Sequence, residues 1–65
     1  MNFPPCPTPE EIRAARKAAG LKQREAGELV YHTLRNWQRW EYGENAMHPA
    51  LWELFTLKIK PKARP

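Results

Sequence analysis

Signals that start and stop helices punctuate this chain, and they constrain its fold more than any other feature of the sequence. Thr8, Pro9 and Glu11 have the spacing of a helix start with a capping box. Gly20 suits the end of that helix, because glycine readily adopts the left-handed backbone of a helix C-terminus. Pro49 suits the first position of a later helix, as Pro9 does. The pattern predicts an all-α fold.

Along the whole chain, the same signals predict four helices, with a fifth as an alternative. The sequence shows neither strand patterns nor internal repeats. The predicted helices cover residues 9–19, 22–30, 34–42 and 49–59. Tyr31 and His32 form the turn between the second and third helices, which make a predicted helix-turn-helix at 22–42. The other predicted segments are a flexible N-terminal arm at 1–7, a domain at 8–60, a polar loop at 44–48 and a basic tail at 61–65.

Length, cysteine content and charge narrow the possible functions. The 65 residues can build one small core, and the single cysteine, Cys6, cannot form an intrachain disulfide. Cys6 and the two histidines do not have the spacing of a zinc site, so we expect no metal and no cofactor. The sequence lacks an apolar membrane span and carries a net charge of +4 with a pI near 9.6. This composition favours a cytoplasmic protein with a polyanionic partner.

The sequence also shows no arrangement of residues typical of an enzyme active site. The sequence pairs no carboxylates across a pocket and shows no arrangement of a nucleophile with a base. A core of this size leaves little room for a substrate cavity. We therefore expect that the chain is not an enzyme.

The third predicted helix has two faces of different chemistry. At about 100° per residue, the side chains on one arc of about 100° are cationic, amide-bearing and phenolic. They are Arg35, Gln38, Arg39 and Tyr42. Trp37 and Trp40 project to the other side, which we expect to be buried. Arginine and glutamine on an exposed helix match the groups that read bases and phosphates in a DNA groove, so the sequence predicts a double-stranded DNA binder.

The central stretch also matches a family pattern, with the expected residue types at Leu21, Gln23, Leu29, Val30, Thr33, Trp37, Trp40, Glu41 and Gly43. Over about residues 10–59 the chain resembles the Cro-like, lambda-repressor-like regulators of phages and bacteria, also called the XRE family. The resemblance implies a lambda-repressor-like fold and a DNA-binding regulator. The simplest outcome of such binding is repression by occlusion. Because one reading helix touches only a few base pairs, we expect a sequence-specific repressor that binds an inverted repeat as a homodimer. In size and pattern the chain is also similar to small phage autorepressors, including anti-CRISPR-associated regulators.

Each candidate residue then has an expected role. The arc predicts base reading by Arg35, Gln38 and Arg39, with Leu34 beside them, able to touch a thymine methyl or to pack against the second helix. Phosphate contacts are expected from Lys22, Gln23, Thr33, Asn36 and Tyr42, and the family implies the one from Gln23. The expected core is Ile12, Arg16, Leu29, Trp37, Trp40 and Glu41, and the family implies a partly buried bond between Arg16 and Glu41. A dimer interface is expected at Leu51, Trp52 and Phe55.

Three positions depart from the family pattern. Tyr31 stands where the turn usually has glycine at positive φ, so it must accept strain or bend the turn differently. His32 replaces an apolar residue. Lys22 replaces a capping serine and cannot cap, but it can reach a phosphate. The turn is therefore the part of the helix-turn-helix that the sequence determines least.

Several alternatives stay open from the sequence. Arg35 and Arg39 could simply solvate a helix face, Trp52 fits the core as well as a dimer contact, and the basic tail either follows phosphates or stays disordered. Cys6 has no assigned role, and His48 is expected to be an ordinary loop residue. The same fold also serves antitoxins and phage accessory modules whose main partner is a protein. Such a module would expose a sizeable apolar patch and bind DNA without sequence preference.

Overall fold

Four α-helices make up the fold in the computed structural model, which describes residues 5–59 of the chain. They are α1 (Pro9–Ala18), α2 (Gln23–Leu29), α3 (Leu34–Glu41) and α4 (Pro49–Ile59), with no strand among the described residues. The all-α prediction is confirmed. α2 packs chiefly against α3 as a helix-turn-helix, α1 packs on α3, and α4 contacts α2.

The first three helices are one or two residues shorter than predicted because the residues at their ends act as caps, namely Ala19, Lys22, Val30 and Tyr42. The predicted capping box is present. Thr8 Oγ1 accepts from the amide of Glu11 at 3.0 Å, and Glu11 Oε1 accepts from the amide of Thr8 at 2.9 Å. Thr33 caps α3 in the same manner, accepting from the amide of Asn36 at 3.1 Å.

A glycine in the left-handed conformation ends both α1 and α3. Gly20 has a φ of 73° and Gly43 a φ of 80°. At each end the glycine amide and the amide that follows it bond back to carbonyls of the last turn, as from Glu44 to Arg39 at 2.9 Å. This pair of bonds is the Schellman motif. The predicted stop at Gly20 is confirmed, and Gly43 ends α3 in the same way.

The core is built around Trp37, which has no exposed surface. Its ring packs edge-on against Trp40 with the centroids 5.6 Å apart, and lies tilted against the ring of Phe55 with the centroids 4.8 Å apart. The other buried apolar residues are Ile12, Ala26, Val30 and Met47. The predicted apolar core residues lie in or against this cluster, although Leu29 is only half-buried at its edge.

Two segments predicted to be a polar loop and a flexible arm each contain a buried residue. The loop at 44–48 is anchored by Met47, which is fully buried. His48 is not an ordinary loop residue, since its Nδ1 accepts from the amide of Ala50 at 2.9 Å and caps the first turn of α4. In the predicted arm, Pro7 is buried, so the end of the arm packs against the domain.

The assignment of Phe55 to a dimer interface is wrong. Its side chain has no exposed surface and packs between Trp37 and Trp52, so it cannot reach a second subunit. Leu51 and Trp52 are half-buried and retain exposed surface on α4. The preference of Phe55 for the core follows from its place on the inner line of the α4 apolar stripe.

No helix among residues 5–59 is long and apolar enough to cross a membrane. Cys6 is exposed. The predicted basic tail and the first four residues of the predicted arm lie outside the described residues.

Candidate nucleic-acid interface

The predicted polar arc of α3 lies on one outward surface. Arg35, Gln38, Arg39 and Tyr42 line a shallow depression of about 150 Å³, together with Glu44. Arg35 is exposed, Gln38 and Arg39 are half-buried, and Tyr42 is 57% exposed. The structure therefore brings together the four side chains of the arc while Trp37 and Trp40 face the core.

A buried carboxylate fixes the C-terminal end of this helix from behind. Glu41 is only 1% exposed, and its Oε2 accepts from Arg16 Nε at 2.5 Å and from the indole N–H of Trp37 at 2.6 Å. Arg16 Nη2 also donates to Oε1 at 3.2 Å. The expected bond between Arg16 and Glu41 is confirmed, and it ties α1 to α3 with charge-assisted hydrogen bonds.

These contacts also set the charge of Glu41. Burial raises the pKa of the carboxyl, but hydrogen bonds from Arg16, Trp37 and Gln23 outweigh that effect and hold the pKa below its ordinary value. Glu41 is therefore ionised at neutral pH. Arg13 adds a second tie, since its Nη2 donates to the backbone carbonyl of Glu41 at 3.1 Å.

Gln23 is turned toward the protein rather than outward. Its Nε2 donates to Glu41 Oε1 at 3.1 Å, and its Oε1 accepts from Gln38 Nε2 at 3.2 Å. A longer contact of 3.5 Å joins its Nε2 to the hydroxyl of Tyr42. The family-implied role of Gln23 was a phosphate contact. Here both ends of its amide are occupied, because a buried carboxylate attracts a donor more strongly than water does.

The other residues expected to hold phosphates divide into two groups. Lys22 is exposed at the start of α2, and its backbone amide donates to Glu25 at 2.8 Å, so its side chain is left to face solvent. Thr33 and Asn36 are used locally. Thr33 caps α3, and Asn36 Nδ2 bonds to Nδ1 of His32 at 3.2 Å. Asn36 is therefore a bracing residue in this structure instead of a free surface amide.

Leu34 and Glu44 border the arc. Leu34 is half-buried at the first position of α3, which leaves both of its expected roles open. Sequence reasoning missed Glu44, an exposed acid in the lining of the depression. Gly43 could have predicted this position. A glycine that ends a helix in a Schellman motif lets the amide of the next residue, Glu44, donate to the carbonyl of Arg39, which places Glu44 beside the arc.

The turn between α2 and α3 closes over a tyrosine with positive φ. Tyr31 has a φ of 65° and makes the Schellman bonds that glycine makes at the other two helix ends. The residue as a whole is 80% exposed. Tyr31 thus accepts the left-handed backbone, which is one of the two outcomes that the sequence allowed.

Lys58 of α4 clamps this turn, a contact that sequence reasoning missed. Its Nζ donates to the carbonyl of Leu29 at 2.6 Å and to the hydroxyl of Tyr31 at 2.9 Å, and lies 4.1 Å from the centre of the tyrosine ring. The hydrogen bond and the charge of Lys58 lower the pKa of Tyr31. No local pattern predicts a contact across so much of the sequence.

Gly27 lets the turn approach α2 closely. A Cβ at this position would lie 2.9 Å from the backbone carbonyl oxygen of Thr33 and 3.2 Å from that of His32. His32 in turn packs edge-on against Trp40, with the ring centroids 5.0 Å apart. The turn is therefore held by backbone contact on one side and by an aromatic contact on the other.

Comparison with known proteins gives a similarity over most of the chain. No family model matches the chain. Over 54 residues the chain is 35% identical to Type II methyltransferase M.MspI from Moraxella sp. The aligned stretch covers 83% of this chain but only 13% of the methyltransferase, so the chain corresponds to a small part of that enzyme.

Proposed function

We propose that this chain is a sequence-specific regulator that binds double-stranded DNA through the outward face of α3, in the manner of XRE-family repressors. The observation that carries the proposal is the shared depression lined by Arg35, Gln38, Arg39 and Tyr42 on a helix whose other face is buried. A helix so held presents arginine and glutamine to a groove, where they match the donor and acceptor groups of bases. Occupation of an operator by such a domain represses transcription by blocking access.

Charge and sequence similarity support the same proposal. The net charge of +4 favours a polyanion, and Lys22 adds an exposed cation at the start of α2. The methyltransferase that the chain resembles is a DNA-acting enzyme. A DNA target and a single cysteine both favour the cytoplasm.

In this proposal the chain binds DNA without catalysing a reaction. The similarity to the methyltransferase covers 13% of that enzyme, which is a stretch of a size suited to a binding module. The described residues fill their interior with tryptophan and phenylalanine side chains and place the arginines on the surface. A surface of this kind suits recognition.

We further propose that two copies bind an inverted repeat. One module buries about 600–1,000 Å² on DNA, which gives limited discrimination, whereas a two-fold dimer doubles the base contacts. Leu51 and Trp52 on α4 keep exposed surface, and Leu57 is 58% exposed, so α4 is the favoured dimer surface. Half-sites would then lie about 34–36 Å apart.

Selection of bound sequences from random duplexes tests the proposal. We expect a motif with two-fold symmetry, and we expect Arg35→Ala or Arg39→Ala to weaken binding to it by about 1–3 kcal/mol with lost preference at a defined base pair. Lys22→Ala is the matched control, because loss of a phosphate contact weakens all duplexes alike. Equal binding of cognate and scrambled duplexes by the wild-type chain would contradict the proposal and favour a protein partner instead.

A further inference from the structure

Gln38 lies in the middle of α3 and lines the proposed DNA-binding depression, yet its side chain is tied to the buried side of the domain. Its Nε2 donates to Oε1 of Gln23 at 3.2 Å. Gln23 donates in turn from its Nε2 to Oε1 of Glu41 at 3.1 Å. Two hydrogen bonds thus connect a half-buried amide at the surface to a carboxylate that is 1% exposed.

The direction of both bonds follows from the chemistry of Glu41. An ionised carboxylate has only acceptors, so Gln23 must turn its NH₂ group toward it and its carbonyl oxygen away. That carbonyl oxygen can only accept, so Gln38 must turn its own NH₂ group inward. Arg16 and Trp37 also donate to Glu41 and keep it in the acceptor-only form. The buried charge of Glu41 therefore determines which end of each amide group faces inward.

We propose that this relay, from Glu41 through Gln23 to Gln38, makes Gln38 selective for adenine over guanine in the major groove. The inference rests on the proposed DNA-binding function. With one N–H held by Gln23, the side chain of Gln38 keeps its carbonyl oxygen and its second N–H, and neither makes another hydrogen bond among residues 5–59. Adenine offers the complementary pair, a donor at N6 and an acceptor at N7.

Guanine is disfavoured by the same geometry. It offers two acceptors, O6 and N7, so the outward carbonyl of Gln38 would face an acceptor. A glutamine whose amide can turn round could instead offer its NH₂ group to guanine. The relay removes that freedom, because turning Gln38 would place its carbonyl against the carbonyl of Gln23. Gln23 is accordingly a positioning residue for specificity and does not itself need to touch DNA.

The first arm of the test measures the relay in the free protein. In ¹⁵N-labelled wild-type protein, NMR should show side-chain amide protons of Gln38 that exchange with solvent at least about tenfold more slowly than those of Asn45, an exposed amide in the same chain. The variant Gln23→Met, which keeps the length of the side chain, should bring the Gln38 exchange rate to that of Asn45. If the side-chain amide protons of Gln38 exchange as fast as those of Asn45 in the wild-type protein, that result alone overturns the proposal.

The second arm measures the base preference. Gln38→Ala first identifies the base pair that Gln38 reads, as the position where selected duplexes lose their preference. There the wild-type chain should prefer adenine over guanine by about tenfold or more. Gln23→Met should reduce that ratio below about threefold while preferences at other base pairs stay the same.

The outcomes separate this inference from the proposed function. An adenine preference that persists in Gln23→Met overturns the relay as its cause, although DNA binding stands. Slow exchange of the Gln38 amide in a wild-type chain that has no sequence preference overturns the proposed function and the adenine selectivity with it. Slow exchange together with a preference that collapses only at the Gln38 base pair supports the inference.

Discussion

The two ends of α3 are fixed by opposite means. At its C-terminal end Glu41 is buried and accepts from Arg16, Trp37 and Gln23. Before its N-terminal end, the turn is clamped by Lys58 and Tyr31, two exposed side chains. Removing one partner of a buried ion pair lowers the free energy of unfolding strongly, because it leaves the other charge buried and unpaired. Contacts between exposed side chains contribute little, because water and salt screen them. The comparison therefore predicts that the C-terminal end of α3 is the more rigid of the two.

The largest expected effect comes from breaking the buried end. Glu41→Gln keeps the shape of the side chain but removes its charge and leaves Arg16 without an anionic partner. Loss of one partner of a buried ion pair costs about 3–5 kcal/mol, and we expect the lower end because the side chain of Arg16 is 13% exposed. The free energy of unfolding from urea titration measures this loss. Glu10→Gln, at an exposed position, is the control and should change stability by less than about 0.5 kcal/mol.

The pH dependence of stability follows from the same contact. Because the pKa of Glu41 is lowered in the folded protein, its contribution is present above the unfolded value near 4.5 and is lost as the pH falls through the lower folded value. Wild-type stability should therefore decline below about pH 4.5. The difference between wild-type and Glu41→Gln should shrink over the same range. A difference that is independent of pH would show that the charge of Glu41 is not what stabilises this end.

The next effect tests the backbone contact beneath the turn. Gly27→Ala should lower the free energy of unfolding by about 1–3 kcal/mol, because the new Cβ would lie 2.9 Å from the carbonyl oxygen of Thr33 and must push the turn away from α2. Gly20→Ala is the matched control. Its φ of 73° is unfavourable for alanine, but no atom lies within 4 Å of its Cβ, so it reports backbone conformation alone. Unchanged or increased stability of Gly27→Ala would mean that the turn yields easily.

The difference between the two ends also explains what the sequence could predict. Helix starts, glycine stops and the bond between Arg16 and Glu41 follow local capping chemistry or a spacing that the family pattern carries, and these predictions are confirmed. The clamp by Lys58 and the burial of Met47 depend on how distant segments meet, so no local signal announces them.

The candidate site divides in the same way. Helical geometry sufficed to place Arg35, Gln38, Arg39 and Tyr42 on one surface. The inward turn of Gln23 was missed, because it requires knowing that the carboxylate of Glu41 lies within hydrogen-bond distance of its amide. A side chain at the boundary of core and surface chooses its partner from tertiary structure, and periodicity alone cannot make that choice.

A smaller effect is expected from removing the clamp on the turn. Lys58→Met deletes the ammonium that donates to Leu29 and Tyr31 but keeps an apolar stem. Because these contacts are exposed, the melting temperature should fall by only about 2–6 °C. Lys17→Met removes a charge from the last turn of α1 and serves as the control, with a smaller change expected. A fall as large as that of Glu41→Gln would show that both ends of α3 are equally rigid.

The smallest effect on the melting temperature is expected from Tyr31→Gly. This substitution also tests the clamped turn most directly. Glycine adopts a φ of 65° without the steric cost that tyrosine bears, but it loses the contact of the ring with Lys58. We expect these effects to cancel in part, so that the melting temperature rises by about 1–3 °C in the wild-type chain. In the Lys58→Met background the ring has no ammonium to hold, so the same substitution should raise the melting temperature further, by about 3–6 °C. The difference between the two backgrounds measures how much the clamp offsets the backbone cost. A lower melting temperature in both backgrounds would show that the tyrosine ring stabilises the turn through contacts other than Lys58, and that the left-handed backbone costs this turn little.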